Sequence, residues 1–347
     1  MPEEWPIAAP AADGKAPARL AGRGRLATVR RDFLLDPSKR LTEQERALMT
    51  AMLHCLVGDV AAALRAALPN GRIPANDDSD SALFELLKAS GLLDQPELMS
   101  LLLQRADEER IATAARARSG RREARVLQGL VSHEYGAVAA AAMALILGRG
   151  RRRDRFGQCL ITFDDLSLTS ADALVHAVAA ALRREVAAGR SSADADLELA
   201  QACEQLLDRR DEERGIGALT AALVHFLDEA GGATDELVLA AANEGEIAFV
   251  AEVLGRRVGV SADSALEELL SGDSRFVMAL LRASGVSRDL AAGLLAGIGD
   301  LLGIEDAASA IDLFDTMTEA QTNAARSWLL TAPGYRAALE RLGQTRG

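Results

Sequence analysis

From residue 28 to the C-terminus, apolar residues recur at intervals of three and four almost without a break. That spacing puts them on one face of an α-helix and leaves no alternating pattern from which to build a sheet. Composition agrees. Apolar residues make up 49% of the 347, but aromatic residues only 3%, and Ala and Leu are abundant. A β-sandwich or barrel draws on Val, Ile, Tyr and Thr, whereas Ala is the strongest helix former. The expected fold class is all-α.

Start and stop signals divide the pattern. LTEQERALMTAMLHCLVGDVAAALRAAL (41–68) opens with Thr42 and Glu45 at capping-box spacing, so their side chains satisfy free N–H groups of the first turn. Leu48, Met52, Leu53, Leu56, Val60 and Leu64 then share one face, and Pro69-Asn70-Gly71 is the stop. Shorter helices are expected over 80–90, 94–104, 107–118, 121–132 and 134–148, with Asp94 as a cap and Pro96 in a first turn. CLITF (159–163) has strand-like composition but no partner, and is read as irregular or helical. A helix over 169–188 would be capped by Thr169 or Ser170. Further helices run from 194–209 to 333–342, with Thr234 and Ser261 as caps and a second capping box at Thr318 and Gln321.

Short helices on short connections pack as antiparallel neighbours. The expected architecture is therefore a HEAT-like solenoid of helix pairs over 26–190, continued by an acidic helical domain over 191–347. The small, polar stretch AAGRSSADAD (187–196) is the candidate boundary. Residues 1–25, rich in Ala, Pro and Gly and lacking periodicity, read as a disordered tail in which Trp5 is the one oddity.

One phrase occurs twice: LLKASGL at 86–92 and LLRASGV at 280–286. Gly91 and Gly285 fall where a helix must end in a left-handed residue, and Leu92 and Val286 are placed to fold back on the last turn. Lys88 and Arg282 sit where a cation favours the helix dipole. The phrase is read as a helix stop rather than a functional loop used twice.

Charge is distributed unevenly. The net charge is −12, yet residues 110–155 hold eleven arginines against three acidic residues, whereas 191–347 hold 27 acidic and 12 basic residues. Lys occurs only at 15, 39 and 88. Arg presents a planar fork of donors suited to oxyanions. The candidate interaction surface is Arg116, Arg118, Arg121, Arg122, Arg125, Arg151, Arg152 and Arg153. Three fates are open to it: a solvated face, pairing with the acidic half of the chain, or binding of nucleic acid or another polyanion. The net charge, and the presence of Phe156 as the sole aromatic residue in the Arg loop, argue against the last.

The sequence assembles no reactive centre. His54, His133, His176 and His225 are far apart, and none has a His or Cys at i+3 or i+4, so zinc would need ligands from distant segments. Cys55, Cys159 and Cys203 are scattered and read as reduced thiols. GIGDLLG (297–303) and ERGIGALT (213–220) lack the strand–turn–helix setting of a phosphate cradle, and DDSD (77–80) lacks the rest of a calcium loop. No catalytic residue, metal or cofactor is assigned. The N-terminus has early acids and prolines and no apolar core, unlike a secretory signal. YGAVAAAAMALILG (135–148) is too short to span a bilayer. A cytoplasmic location is expected.

Four stretches carry a resemblance: 30–68 with its RRDFLLD opening, LLKASGLLDQPELMSLLLQRADEERIATAAR (86–116), LVHAVAAALRRE (174–185) and 243–287, beginning NEGEIAFVAEVLGRR. In this order they resemble a bacterial family of uncharacterised helical proteins, domain of unknown function 2336. The resemblance implies an all-helical, repeat-like protein and brings no catalytic residues. The function expected is that of a non-catalytic interaction or regulatory protein with a protein partner, homo-oligomerisation being open. A nucleic-acid- or polyanion-associated regulator using the Arg-rich segment is the alternative.

Overall fold

In the computed structural model, sixteen α-helices account for about three quarters of the described residues, which are 41–68, 77–120, 125–188 and 191–342. The tail, the RRDFLLD segment, the Pro69-Asn70-Gly71 stop, Arg121 and Arg122 lie outside them. Residues 47–347 form one compact unit and are described here; of residues 1–46, the structure describes 41–46.

The helices are α1 (Glu43–Ala67), α2 (Asp77–Ser90), α3 (Pro96–Ser119), α4 (Arg125–Leu130), α5 (Gly136–Arg151), α6 (Leu168–Val186), α7 (Ser192–Asp208) and α8 (Ile216–Glu229). They continue as α9 (Asp235–Asn243), α10 (Ile247–Val258), α11 (Ala262–Leu269), α12 (Ser274–Ala283), α13 (Arg288–Ile298), α14 (Ala307–Thr316), α15 (Glu319–Leu329) and α16 (Pro333–Arg341). Single 3-10 turns sit at Phe163–Asp165, Glu212–Arg214 and Gly299–Leu302. No strand forms among the described residues; CLITF contributes only an isolated antiparallel bridge between Arg153 and Cys159.

The capping boxes form as their spacing predicts. Glu45 accepts from the Thr42 N–H at 2.8 Å while Thr42 Oγ1 accepts from the Glu45 N–H at 3.1 Å; Thr318 and Gln321 repeat the arrangement. Thr234 and Ser261 also cap their helices. Two starts differ from expectation. Gln95, not Asp94, precedes α3, and Pro96, which has no N–H, leaves one free donor fewer for a cap to accept from; Ser167 caps α6, ahead of Thr169 and Ser170. The expected helices 94–104 and 107–118 are one helix. No Gly or Pro breaks the junction, and it is linked at i, i+3 by Arg105 to Glu108 and Asp107 to Arg110.

The repeated phrase is a helix stop in both places. Gly91 has φ of 75° and Gly285 of 70°. Ser90 Oγ donates to the Leu87 carbonyl at 2.8 Å, and Ser284 Oγ to the Leu281 carbonyl at 2.9 Å, so each serine ties off one carbonyl the helix end leaves free.

Two apolar cores interleave along the chain. The first takes Met52 to Leu68 from α1, Leu83 to Leu93, the N-terminal half of α3 (Leu98, Leu102, Ala106), Ile161, Leu166, α6, and Ala195 to Cys203 of α7. The second takes Ile111 from the C-terminal half of α3, α4, α5 and then α8 to α15. The candidate boundary at 187–196 therefore falls inside the first core. The chain passes between cores three times: within α3 between Ala106 and Ile111, between α5 and Ile161, and between α7 and α8. Packing mixes sequential partners (α4 with α5, α6 with α7, α9 to α12 in turn, α13 with α14) with helices farther apart: α2 with α6, α5 with α8, α9 with α13 and α12 with α15.

Candidate functional site: an arginine-lined cleft between the two cores

The three crossings meet in a polar seam, because the helix ends and 3-10 turns there expose carbonyls that need donors. Arg has five N–H donors and no acceptor. Arg152 uses four of them: Nε and Nη2 form a fork on Asp165 at 2.7 and 2.8 Å, Nη1 reaches the Gly148 carbonyl at 3.0 Å, and Nη2 the Arg214 carbonyl at 2.9 Å. Asp165, fully buried, also accepts from the N–H groups of Ile216 and Thr162 at 2.8 Å each. One carboxylate thus holds the crossing after α5 to the start of α8. Burial opposes its ionisation, but the Arg152 guanidinium and the two N–H donors outweigh this and hold its pKa below the ordinary aspartate value. Next to it, Asp164 accepts from the Asp211 N–H and Arg210 donates to the Leu166 carbonyl.

Alongside the seam lies a cleft of about 290 Å³. The turn of α3 that passes between the cores supplies Arg105, Glu108, Glu109, Ala112 and Arg116; Arg149, Arg152, Arg153 and Cys159 come from the end of α5 and the turn after it. The α9–α10 turn supplies Gly245 and Glu246. Gly245, at φ 78°, is required there: a Cβ would stand 2.5 Å from the Ala112 Cα, so the turn lies against the α3 backbone. Leu127, Ile146, Ile216 and Ile247 give the cleft an apolar wall.

The charged groups are arranged in pairs. Arg105 Nη1 donates to Glu108 at 2.5 Å. Glu109 accepts from both Arg116 (2.9 Å) and Arg153 (2.8 Å), and Arg149 pairs with the buried Glu246. Burial works against the charge of Glu109; the two arginines overcome it and lower its pKa. Cys159 is pushed the other way, to about 11, by burial and then by the Glu109 charge. Both effects favour the protonated thiol over the thiolate.

The eight arginines singled out in the sequence divide sharply. Arg116, Arg152 and Arg153 line the cleft. Arg118 leaves it for Asp300, with Nη1 at 2.9 Å from both Asp300 Oδ1 and the Gly297 carbonyl. Arg125 and Arg151 are exposed, and no described residue pairs with them. Sequence reasoning missed Arg105, Arg149, Glu108, Glu109, Glu246 and Asp165. QRADEER reads as a solvated helix face, and nothing in its spacing signals that Arg105 and Glu109 face a cleft.

No three His, Cys, Asp or Glu side chains converge to hold a metal ion among the described residues. The histidines are dispersed: His54 against Phe84, His133 accepting from the Tyr135 N–H, His176 beside Asp172, and His225 beside Arg256.

The family model for an uncharacterised protein conserved in bacteria, domain of unknown function 2336, matches residues 84–327. The chain belongs to this family. The matched span takes in the second half of α2, all of α3 to α14 and most of α15, and so contains every residue of the DUF2336 cleft and seam. No curated protein and no solved structure matches the chain.

Proposed function

We propose that this DUF2336 protein is a non-catalytic, cytoplasmic interaction protein with HEAT-like helix pairs in its N-terminal part (26–190), in which α5 is presented to a helical protein partner. The observation that carries this is that α5 is apolar on both faces. Val138, Ala141, Ala142 and Leu145 are buried in the second core, while Ala140, Met143, Ala144 and Leu147 form an exposed stripe without a charge until Arg151. Met143 and Leu147 are 42% and 56% exposed. A helix apolar all round is one that is covered on all sides, and the small residues of the stripe allow close approach by a second helix. The cleft supports a non-catalytic role, since its carboxylates are held by arginines and its thiol favours the protonated form. The single helix long and apolar enough to cross a membrane among the described residues, α1, places Met52, Leu56, Val60 and Leu64 in the first core. The nucleic-acid alternative has less support: Arg116, Arg118, Arg152 and Arg153 are already engaged with carboxylates.

The test is a paired substitution, Met143→Glu with Leu147→Glu, compared with wild type by light scattering and by quantitative capture from the native cytosol. The expected result is a folded monomer that loses a specific partner, or loses self-association if the partner is a second copy. Association and captured proteins identical to wild type would overturn the proposal.

A further inference from the structure

The exposed stripe of α5 matches its own reverse. Along it run Gly136, Ala140, Met143, Ala144, Leu147 and Arg151, all exposed. When a second α5 is laid antiparallel across it, centred between Met143 and Ala144, each level pairs a long side chain with a short one. Met143 faces Ala144, Leu147 faces Ala140, and Arg151 faces Gly136. A two-fold interface demands this, because the same patch serves both copies and residue i meets j where j meets i. A different protein would bring its own complementary surface and place no such demand on the stripe. The charges at the two ends agree. Glu134 lies just before α5 and Arg151 is its last residue; both are exposed, and neither pairs with a described residue. Antiparallel pairing sets the Arg151 of each copy beside the Glu134 of the other, whereas parallel pairing would set like charges together.

We propose that α5 docks on the α5 of a second copy of this chain, antiparallel, about a two-fold axis passing between Met143 and Ala144. This rests on the reading of α5 as a docking face and names its occupant. With 16 residues, α5 is about 24 Å long, and helices crossing at about 20° stay in contact over such a length. Ala140 and Ala144 let the axes approach closely, so that Met143 and Leu147 of both copies fill the centre of the interface. The Glu134–Arg151 pairs lie at its rim, where they stay hydrated and fix the direction of pairing more than its strength.

Sedimentation velocity of the full chain over a range of micromolar concentrations, at low salt, tests this. The expected result is a reversible monomer–dimer equilibrium. Glu134→Arg or Arg151→Glu alone sets like charges together twice in each dimer and is expected to weaken it about tenfold. The two reversals combined restore opposite charges and are expected to return the affinity to within about threefold of wild type. If a reversal does not fold, Ala140→Leu, which sets a second leucine against Leu147, is expected to weaken the dimer by at least about tenfold. A chain that stays monomeric overturns the proposal, while leaving α5 free to capture a different protein through Met143 and Leu147. A dimer indifferent to either reversal, or a double reversal no tighter than the single ones, also overturns it. Failure of the underlying reading is distinct: Met143→Glu with Leu147→Glu would then alter neither the association nor the captured proteins.

Discussion

Arg151 and Arg152 are adjacent, at the end of the same helix, and have opposite fates. Arg152 is 8% exposed and makes four hydrogen bonds across the seam. Arg151 is exposed, and no described residue pairs with it. One helical step of about 100° separates them, enough to turn one toward the junction of the cores and the other toward water. The difference teaches that a basic run is not a basic surface. The carbonyls left at helix ends and the carboxylates of Asp165, Glu109 and Glu246 draw Arg152, Arg116, Arg153 and Arg149 to the seam and cleft, whereas Arg118 pairs with Asp300 at the surface.

The largest expected effect sharpens that contrast. Arg152→Gln leaves Asp165 buried without its cation and should cost about 3–5 kcal/mol in urea unfolding, whereas Arg151→Gln should stay within about 0.5 kcal/mol of wild type. Equal effects would break the distinction.

The two copies of the Ala-Ser-Gly phrase extend the comparison to the apolar residues. Leu280 is fully buried where α14 and α15 pack on α12, while its counterpart Leu86 is 56% exposed. Leu280→Ala should cost about 2–5 kcal/mol and Leu86→Ala less than about 0.5 kcal/mol, although the turn that follows is the same. Comparable losses would mean that Leu86 is covered as well.

Acid should find the inward pairs first. The folded-state pKa values of Asp165 and Glu109 lie below the ordinary values of 3.8 and 4.5. Near pH 4 the unfolded chain therefore binds more protons than the folded one, and stability falls as pH drops through the ordinary carboxylate range toward the folded values. Thermal melts between pH 7 and pH 3 should show this decline, and Asp165→Asn should flatten it. A decline of the same steepness in that variant would place the acid sensitivity elsewhere. A small effect is expected at Arg118→Gln. Its partner Asp300 is 63% exposed, and a surface pair contributes at most about 1 kcal/mol.

Much of the fold is legible from local chemistry. Capping boxes at Thr42 and Thr318, the left-handed glycines 91 and 285 and the helical periodicity each depend on residues within one or two turns. What local pattern misses is set by distance along the chain. Arg118 and Asp300 are 182 residues apart, Arg153 and Glu109 are 44 apart, and no helical spacing links them. For the same reason the interleaved cores are hidden: Leu102 and Ile111 belong to one amphipathic helix but to different cores, and only the tertiary fold separates them. Arg105 illustrates the limit at the cleft. Among neighbours as polar as Gln104, Asp107 and Glu108, a buried guanidinium gives no sign in sequence.

The most direct test of the claim that these arginines serve the interior is nitrogen-resolved NMR of the arginine Nε–H groups. The Arg152 Nε–H, bonded to Asp165, should exchange with solvent far more slowly than that of Arg151, and Asp165→Asn should abolish its protection. Exchange at the same rate at both positions in the wild-type protein would contradict the account.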